Sequence, residues 1–271
     1  MTMENRHRTT PRDTLRAEPA RRENDRESAE NLLEGRNAVT EAIAAGRPID
    51  KIFLASGEHD RALSRIAALA RQAGAAVVET DRRKLDQMSV TGVHQGVIAF
   101  VAAHAYSDVD EILLRAKERG ESPLIVICDD LSDPHNLGAI IRTAECAGAH
   151  GVIIPRRKSV GLTAVVGKAS AGALEYLPVA RVSNLVQTIH DLQKQGVWVF
   201  GTAAGGETGL YDADLKGPAA IVIGSEGSGM SRLVSEACDY RVSIPMRGNL
   251  SSLNASNAAA ILLYEAVRQR A

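Results

Sequence analysis

Beyond about residue 122 the chain keeps returning to short apolar runs rich in Val and Ile, namely LIVIC, GVIIP, VWVF, AAIVIG and RVSIP. Runs this short that do not alternate with polar residues belong to strands buried on both faces. The segments between them carry helical periodicity. In DPHNLGAIIRTAECAGAHG, Leu137, Ile140, Ile141 and Ala144 recur at i, i+3, i+4 and i+7, with Gly138, Arg142 and Glu145 on the other side. A further helix is predicted around NLVQTIHDLQKQG and a long final one from about Ser252, while TAVVGKASAGA adds another apolar segment. Strands alternating with helices specify an α/β fold built on a parallel sheet covered on both sides. Ligands on such sheets bind beyond the carboxyl ends of the strands, which directs attention to the loops there.

Upstream the pattern is different. Residues 1–30 mix arginines with acidic residues and contain almost no large apolar side chain, so they cannot offset the entropy of ordering and are expected to be a disordered tail. From residue 31 to 104 a small α/β unit is predicted. Its parts are a helix in GRNAVTEAIAAG, a strand at 51–55, a helix with Leu63, Ile66, Ala67 and Ala70 on one face, the strand AAVVET, a helical turn near DRRKLDQMS and a last strand GVIAFVA. SDVDEILLRAKERG reads as a linker helix over 105–122, with Ser107 at its start and Gly120 after its end. The large unit then spans 123–271.

Net charge is −1 and the sequence pI about 6.7, so bulk charge does not mark a nucleic-acid binder. Local basic runs do exist at Arg82-Arg83-Lys84 and Arg156-Arg157-Lys158, as candidate contact patches or as solvated loops. The N-terminus lacks the apolar core of a secretory signal and no run is long enough to span a bilayer, so the cytoplasm is the expected location and no membrane partner is expected. Cys128, Cys146 and Cys238 stand singly among or near apolar residues and read as small buried side chains. No His, Cys and Asp cluster has metal-ligand spacing, so no metal is expected.

Four loops hold many of the glycines: DDLSDPHNLGAIIR, GTAAGGE, GSEGSGMS and IPMRGNLSSLNASN. Glycine allows backbone to approach a ligand closely, so these loops point to a small-molecule site built largely from main chain. It is not a standard dinucleotide or phosphate-loop site, because neither G-x-G-x-x-G after the first strand nor G-x-x-x-x-G-K-[ST] occurs. GSEGSG lacks the central serine of a nucleophile elbow, which removes a serine hydrolase. In the plainest reading Asn136 caps its helix and Arg142 pairs with Glu145 in solvent.

Three of these segments, in order, resemble the motifs of the TrmH-type (SpoU) RNA ribose 2'-O-methyltransferases of the SPOUT superfamily: SDPHNLGAIIRTAECAGAHGVIIP, IVIGSEGSGMS and IPMRGNLSSLNASNAAAILLYEAVRQR. GRNAVTEAI and VTGVHQGVIA are similar to the small ribosomal-protein-like RNA-binding domain of the RlmB-type subgroup, which methylates a guanosine ribose in 23S rRNA. The resemblance implies a deep trefoil knot in the large unit, S-adenosyl-L-methionine as cofactor, 23S rRNA as partner and a homodimer.

Carried onto this sequence, the resemblance implies a catalytic set of Asn136, Arg142, Glu226, Ser252 and Asn254. The cofactor contacts it implies are Thr202, Ala203 and Gly205, then Ile223, Gly224, Glu226 and Gly227, and finally Ile244, Met246, Ser252, Leu253 and Asn254. RNA contacts would fall on Arg36, Asn37, His94, Gln95 and Arg142. For His94 the alternative is a local hydrogen bond in a turn; for Glu226, pairing with Arg232; for Asn254, helix capping. The rival functions are methylation of tRNA or of another 23S rRNA nucleotide, and a catalytically silent RNA-binding assembly factor.

Overall fold

The computed structural model describes residues 31–57, 60–225 and 227–271; the expected tail and Glu226 lie outside the described residues. The first unit runs β1 (Leu32–Glu34), α1 (Arg36–Ala44), β2 (Ile49–Ala55), α2 (Arg61–Gln72), β3 (Ala76–Thr80), α3 (Arg82–Met88) and β4 (Val97–Val101). Its sheet has the order β1-β4-β2-β3, with β2 and β3 parallel and the other pairings antiparallel. The four apolar residues expected on α2 are all buried, against Val39, Ile52, Leu54 and Val97. Asp60 starts that helix by accepting from the Ala62 amide.

The helix read as a linker, α4 (Val109–Arg119), ends at Gly120 in the left-handed conformation, as its sequence predicts. Its start differs. Asp108 is the N-cap residue, and Ser107 instead pairs with the second sheet, its amide donating to Val179 O at 2.9 Å. Ile112 then packs so tightly over Gly151 that a Cβ there would fall 2.5 Å from it. The helix is therefore bound to the large unit.

That unit continues with β5 (Leu124–Cys128), α5 (Pro134–Cys146), β6 (Gly151–Pro155), α6 (Ala164–Ala169), β7 (Val179–Val182), α7 (Leu185–Lys194), β8 (Trp198–Thr202), β9 (Thr208–Gly209), β10 (Ala219–Ile223), α8 (Arg232–Ala237), β11 (Tyr240–Ser243) and α9 (Ala255–Arg270). The sheet order is β7-β6-β5-β10-β8-β11-β9, all parallel. Successive residues of a strand point to opposite faces, and the cores show it. Leu124, Val126 and Cys128 face a cluster with Leu137 and Ile141 of α5 and Leu262 of α9. Ile125 and Ile127 face the other, with Ile112 of α4, Ile189 of α7 and Val234 of α8. This double burial is why the strands read as unbroken apolar runs.

One strand placement is unusual. β8 and β9 are consecutive, yet β11 lies between them and pairs with both. The segment joining β8 to β9 therefore passes over β11, and so closely that a Cβ on Gly206 would fall 2.6 Å from Arg241 O.

The two units are joined by buried charge. Arg181, in the middle of β7, donates to Asp50 Oδ1 at 2.7 Å and to the Asp50 carbonyl at 2.6 Å, and both side chains are 8% exposed. The Tyr106 hydroxyl donates to the same Asp50 carboxylate and accepts from the Leu162 amide. The Asp50 carboxylate sits where a Cβ on Gly161 would be. Truncating one member of a buried pair leaves the other charge uncompensated, so Arg181→Ala is expected to lower unfolding free energy by about 3–5 kcal/mol. Urea denaturation checks this, and a loss near zero would mean that water reaches the junction.

Candidate active site

α5 begins in a way its sequence only partly discloses. Asp133 is the N-cap, accepting from the His135 amide at 2.8 Å, with Pro134 next. Asn136, expected as the cap, is instead inside the first turn and buried. Its Nδ2 donates to Asp133 Oδ2 at 3.2 Å and its Oδ1 accepts from Asn254 Nδ2 at 3.0 Å. Asn254 is the N-cap of α9, its Oδ1 accepting from the Ser256 amide at 2.9 Å. Capping fixes which end of the Asn254 amide faces the helix, and so turns its N–H toward Asn136. Two residues 118 positions apart are locked together by this bond.

Gly138, placed on the polar side by its periodicity, is buried against α6, where a Cβ would fall 2.4 Å from that of Ala169. Arg142, one turn on, is exposed, and no ion pair joins it to Glu145 or to any other of the described residues.

At the carboxyl ends of β8, β10 and β11 lies a cavity of about 740 Å³. Thr202, Ala203 and Gly205 line it from the loop after β8, and Ile223, Gly224 and Gly227 from the loop after β10. Ile244, Met246, Ser252 and Leu253 line it from the loop before α9. Ser252, expected to begin the last helix, lies in that loop. A smaller cavity of about 250 Å³ adjoins, lined by Asn136 and by Asp130, Leu131, Ser132 and Asp133 after β5. Ser225, Gly227 and Ser228 border both cavities.

The shared wall is held from below. Ser225 and Gly229 exchange backbone hydrogen bonds, and Ser225 Oγ meets Ser228 Oγ at 2.8 Å. The buried Asp129 carboxylate accepts from the Ser231 amide at 2.6 Å. Asp129, Ser225, Ser228, Met230 and Ala258 were not singled out from sequence; Asp129 stands in the quoted DDLSDP, and its position at a strand end was the available signal. Arg142 lines neither cavity.

Burial pushes the Cys128 and Cys238 thiols up to about 12, while Cys146, expected buried, is exposed. Arg232 pairs with Glu236 at 2.7 Å. Among the described residues no group of His, Cys, Asp and Glu is arranged to hold a metal ion, and no helix is long and apolar enough to cross a membrane.

In the first unit, the Arg36 amide donates to Gln95 Oε1 and its Nε to the Gln95 carbonyl, both at 3.1 Å. Its guanidinium also meets Asp60 at 2.6 Å. Asn37 and Gln95 are exposed, Gln95 with a φ of 51°. His94 is buried; its Nδ1 accepts from the Gly96 amide, which leaves Nε2 to donate to Asp86 at 2.8 Å. With both nitrogens engaged, His94 shapes the loop that sets Gln95 against Arg36 at the start of α1.

Residues 123–264 match the SpoU rRNA Methylase family, and residues 32–107 match a domain described as RNA 2'-O ribose methyltransferase substrate binding. A Bacillus subtilis (strain 168) protein assigned to the TrmH family of tRNA/rRNA methyltransferases is 47% identical over 236 residues, covering 87% of this chain and 94% of its own. A Staphylococcus aureus (strain MSSA476) protein assigned to the same family is 46% identical over 89% of this chain and 97% of its own. Among solved structures, the SpoU methyltransferase AviRb from Streptomyces viridochromogenes, in complex with the cofactor AdoMet, is 30% identical. It aligns with a TM-score of 0.57 over 88% of this chain and 90% of that one.

Proposed function

Because the chain belongs to the SpoU rRNA methylase family, we propose that it methylates a ribose 2'-hydroxyl of RNA from S-adenosylmethionine, and that its target is a guanosine of 23S rRNA. The observation that carries this reading is the Asn136–Asn254 bond, which joins the first and last motifs beside the wall shared by the two cavities. The larger cavity fits the cofactor by its chemistry. Its walls combine glycines and small side chains of three loops with apolar groups from Ile223, Met230, Ile244, Met246 and Leu253, so that main-chain groups can address polar ends and the apolar groups an adenine ring.

S-adenosylmethionine, when bound, supplies an activated methyl electrophile on a sulfonium. Thr202, Ala203, Gly205, Ile223, Gly224, Gly227, Ile244, Met246, Ser252 and Leu253 would hold it, with Glu226 and Asn254 completing the contacts. The work left to the protein is alignment and help with one proton, because a ribose hydroxyl is too weak an acid to be an anion at neutral pH. Asn136 and Asn254, each fixed by the other, hold the first turns of α5 and α9 in one geometry. Ser252 lines the larger cavity, two residues before Asn254. A guanidinium is a poor proton acceptor, so the role argued for Arg142 is lowering the hydroxyl pKa or fixing the neighbouring phosphate.

Arg142 is exposed and lines neither cavity, which favours a homodimer in which it serves a site completed by the partner subunit. The insertion of β11 between β8 and β9, under the segment joining them, supports the expected trefoil knot. The unit at 31–104 would select the RNA, through Arg36, Asn37 and Gln95, and the enzyme would work in the cytoplasm. Incubating the protein with S-adenosylmethionine and unmodified 23S rRNA fragments, then mapping 2'-O-methyl groups by mass spectrometry, tests the reading. One methylated guanosine supports it. A methyl group on tRNA or on another nucleotide moves the specificity, and none on free or assembled RNA favours the silent binder.

A further inference from the structure

Arg156, Arg157 and Lys158 follow β6 at the same end of the parallel sheet as the two cavities. The loop they form touches both units. The Arg156 amide donates to Val182 O at 2.8 Å, and its guanidinium covers Gly74 at the end of α2, where a Cβ would fall 2.4 Å from Nη1. Farther along the loop, Ser159 Oγ and the Val160 amide both donate to Leu131 O, at 3.1 and 2.8 Å. Leu131 lines the smaller cavity. The loop therefore bridges the first unit and the cavity beside Asn136.

Between these two anchor points stand Arg157 and Lys158. Both are exposed, and neither has a hydrogen bond or an ion pair among the described residues. Lys158 has a φ of 57°, so the chain turns sharply at this point. The charge buried beneath them cancels, because Asp50 is matched by Arg181. Acidic groups on the neighbouring loop are Asp130, which lines the smaller cavity, and Asp133, whose carboxylate is taken up by the α5 N-terminus and Asn136. The exposed surface of the bridge itself is thus cationic. An arginine fork and a lysine point charge side by side suit successive phosphate groups.

We propose that Arg157 and Lys158 hold the phosphate backbone of an RNA strand as it passes from the first unit to the smaller cavity, acting as positioning residues for methyl transfer. This rests on the reading of the protein as an RNA methyltransferase. Phosphate contacts carry affinity without sequence information and reveal themselves through salt dependence.

The test is the double variant Arg157→Gln/Lys158→Gln in the full chain, with a 23S rRNA fragment as probe. The slope of log affinity against log salt is expected to fall by about 1.4, from two contacts of about 0.7 each on single strands, and Kd to rise roughly tenfold near physiological salt. KM for RNA should rise in step, while turnover at saturating RNA and affinity for S-adenosylmethionine hold. Arg157→Lys/Lys158→Arg should restore the slope, since charge is what acts. An unchanged slope and KM, in a protein whose wild type methylates the fragment, overturns the proposal. So does equal loss in the charge-conserving variant, which would make the role one of shape. If the wild type methylates no RNA, the methyltransferase reading itself falls.

Discussion

Arg142→Ala is expected to cut methyl transfer by at least about a hundredfold while affinity for S-adenosylmethionine is unchanged. The side chain lines neither cavity, so its removal takes nothing from the walls of the proposed cofactor site. It is exposed and makes no ion pair among the described residues, so its removal breaks nothing within the fold. What it does remove is a permanent cation on the face of α5 opposite the buried stripe of Leu137, Ile140, Ile141 and Ala144. Single-turnover methylation beside calorimetric cofactor binding separates the two. Unchanged turnover ends the proposed role, and a parallel loss of cofactor affinity would mean that Arg142 supports the pocket.

Gly224→Ala is expected to do the opposite and weaken cofactor binding by about 10- to 100-fold, the equivalent of about 1–3 kcal/mol of overpacking. A Cβ at Gly224 would fall 2.3 Å from both the Gly229 carbonyl carbon and the Met230 amide nitrogen. Those are backbone atoms and cannot swing aside as a side chain would. The loop cannot easily shift either, being held by the Ser225–Gly229 pair and by Asp129 on Ser231. Gly217→Ala is the control, because a Cβ there meets nothing within 4 Å. Calorimetric titration with S-adenosylmethionine reads both variants. Wild-type affinity in Gly224→Ala would show that the loop yields, and so does not shape the pocket.

Local pattern made much of this legible, and its failures share a cause. The apolar runs at β5, β6, β8 and β10 were visible because both faces of each strand are buried. β7 was not, since PVARV is short and carries Arg181, a charge that only makes sense opposite Asp50, 131 residues earlier. The two-residue β9 left no periodicity to detect. Asn136 looked like a cap because polar residues cluster at helix starts, but Asp133 and Pro134 already supply one. Ser107 was misplaced for the related reason that its partner is a strand edge and not its own helix. The glycine loops, quoted from sequence for their composition, do line the two adjoining cavities, whereas Asp129 and the bridging loop at 156–160 gain their meaning from neighbours distant in sequence.

The position of β11 between β8 and β9 also bears on how the protein comes into being on the ribosome. Translation delivers residues 240–258 late, yet they form one wall of the larger cavity and the helix cap that grips Asn136. A chain ending before β11 lacks one wall of the larger cavity and the asparagine pair, and it also lacks Leu262 and Leu263 of α9 over one face of β5. On the proposed reading, an interrupted chain lacks both the methyl donor's pocket and the means to align an acceptor.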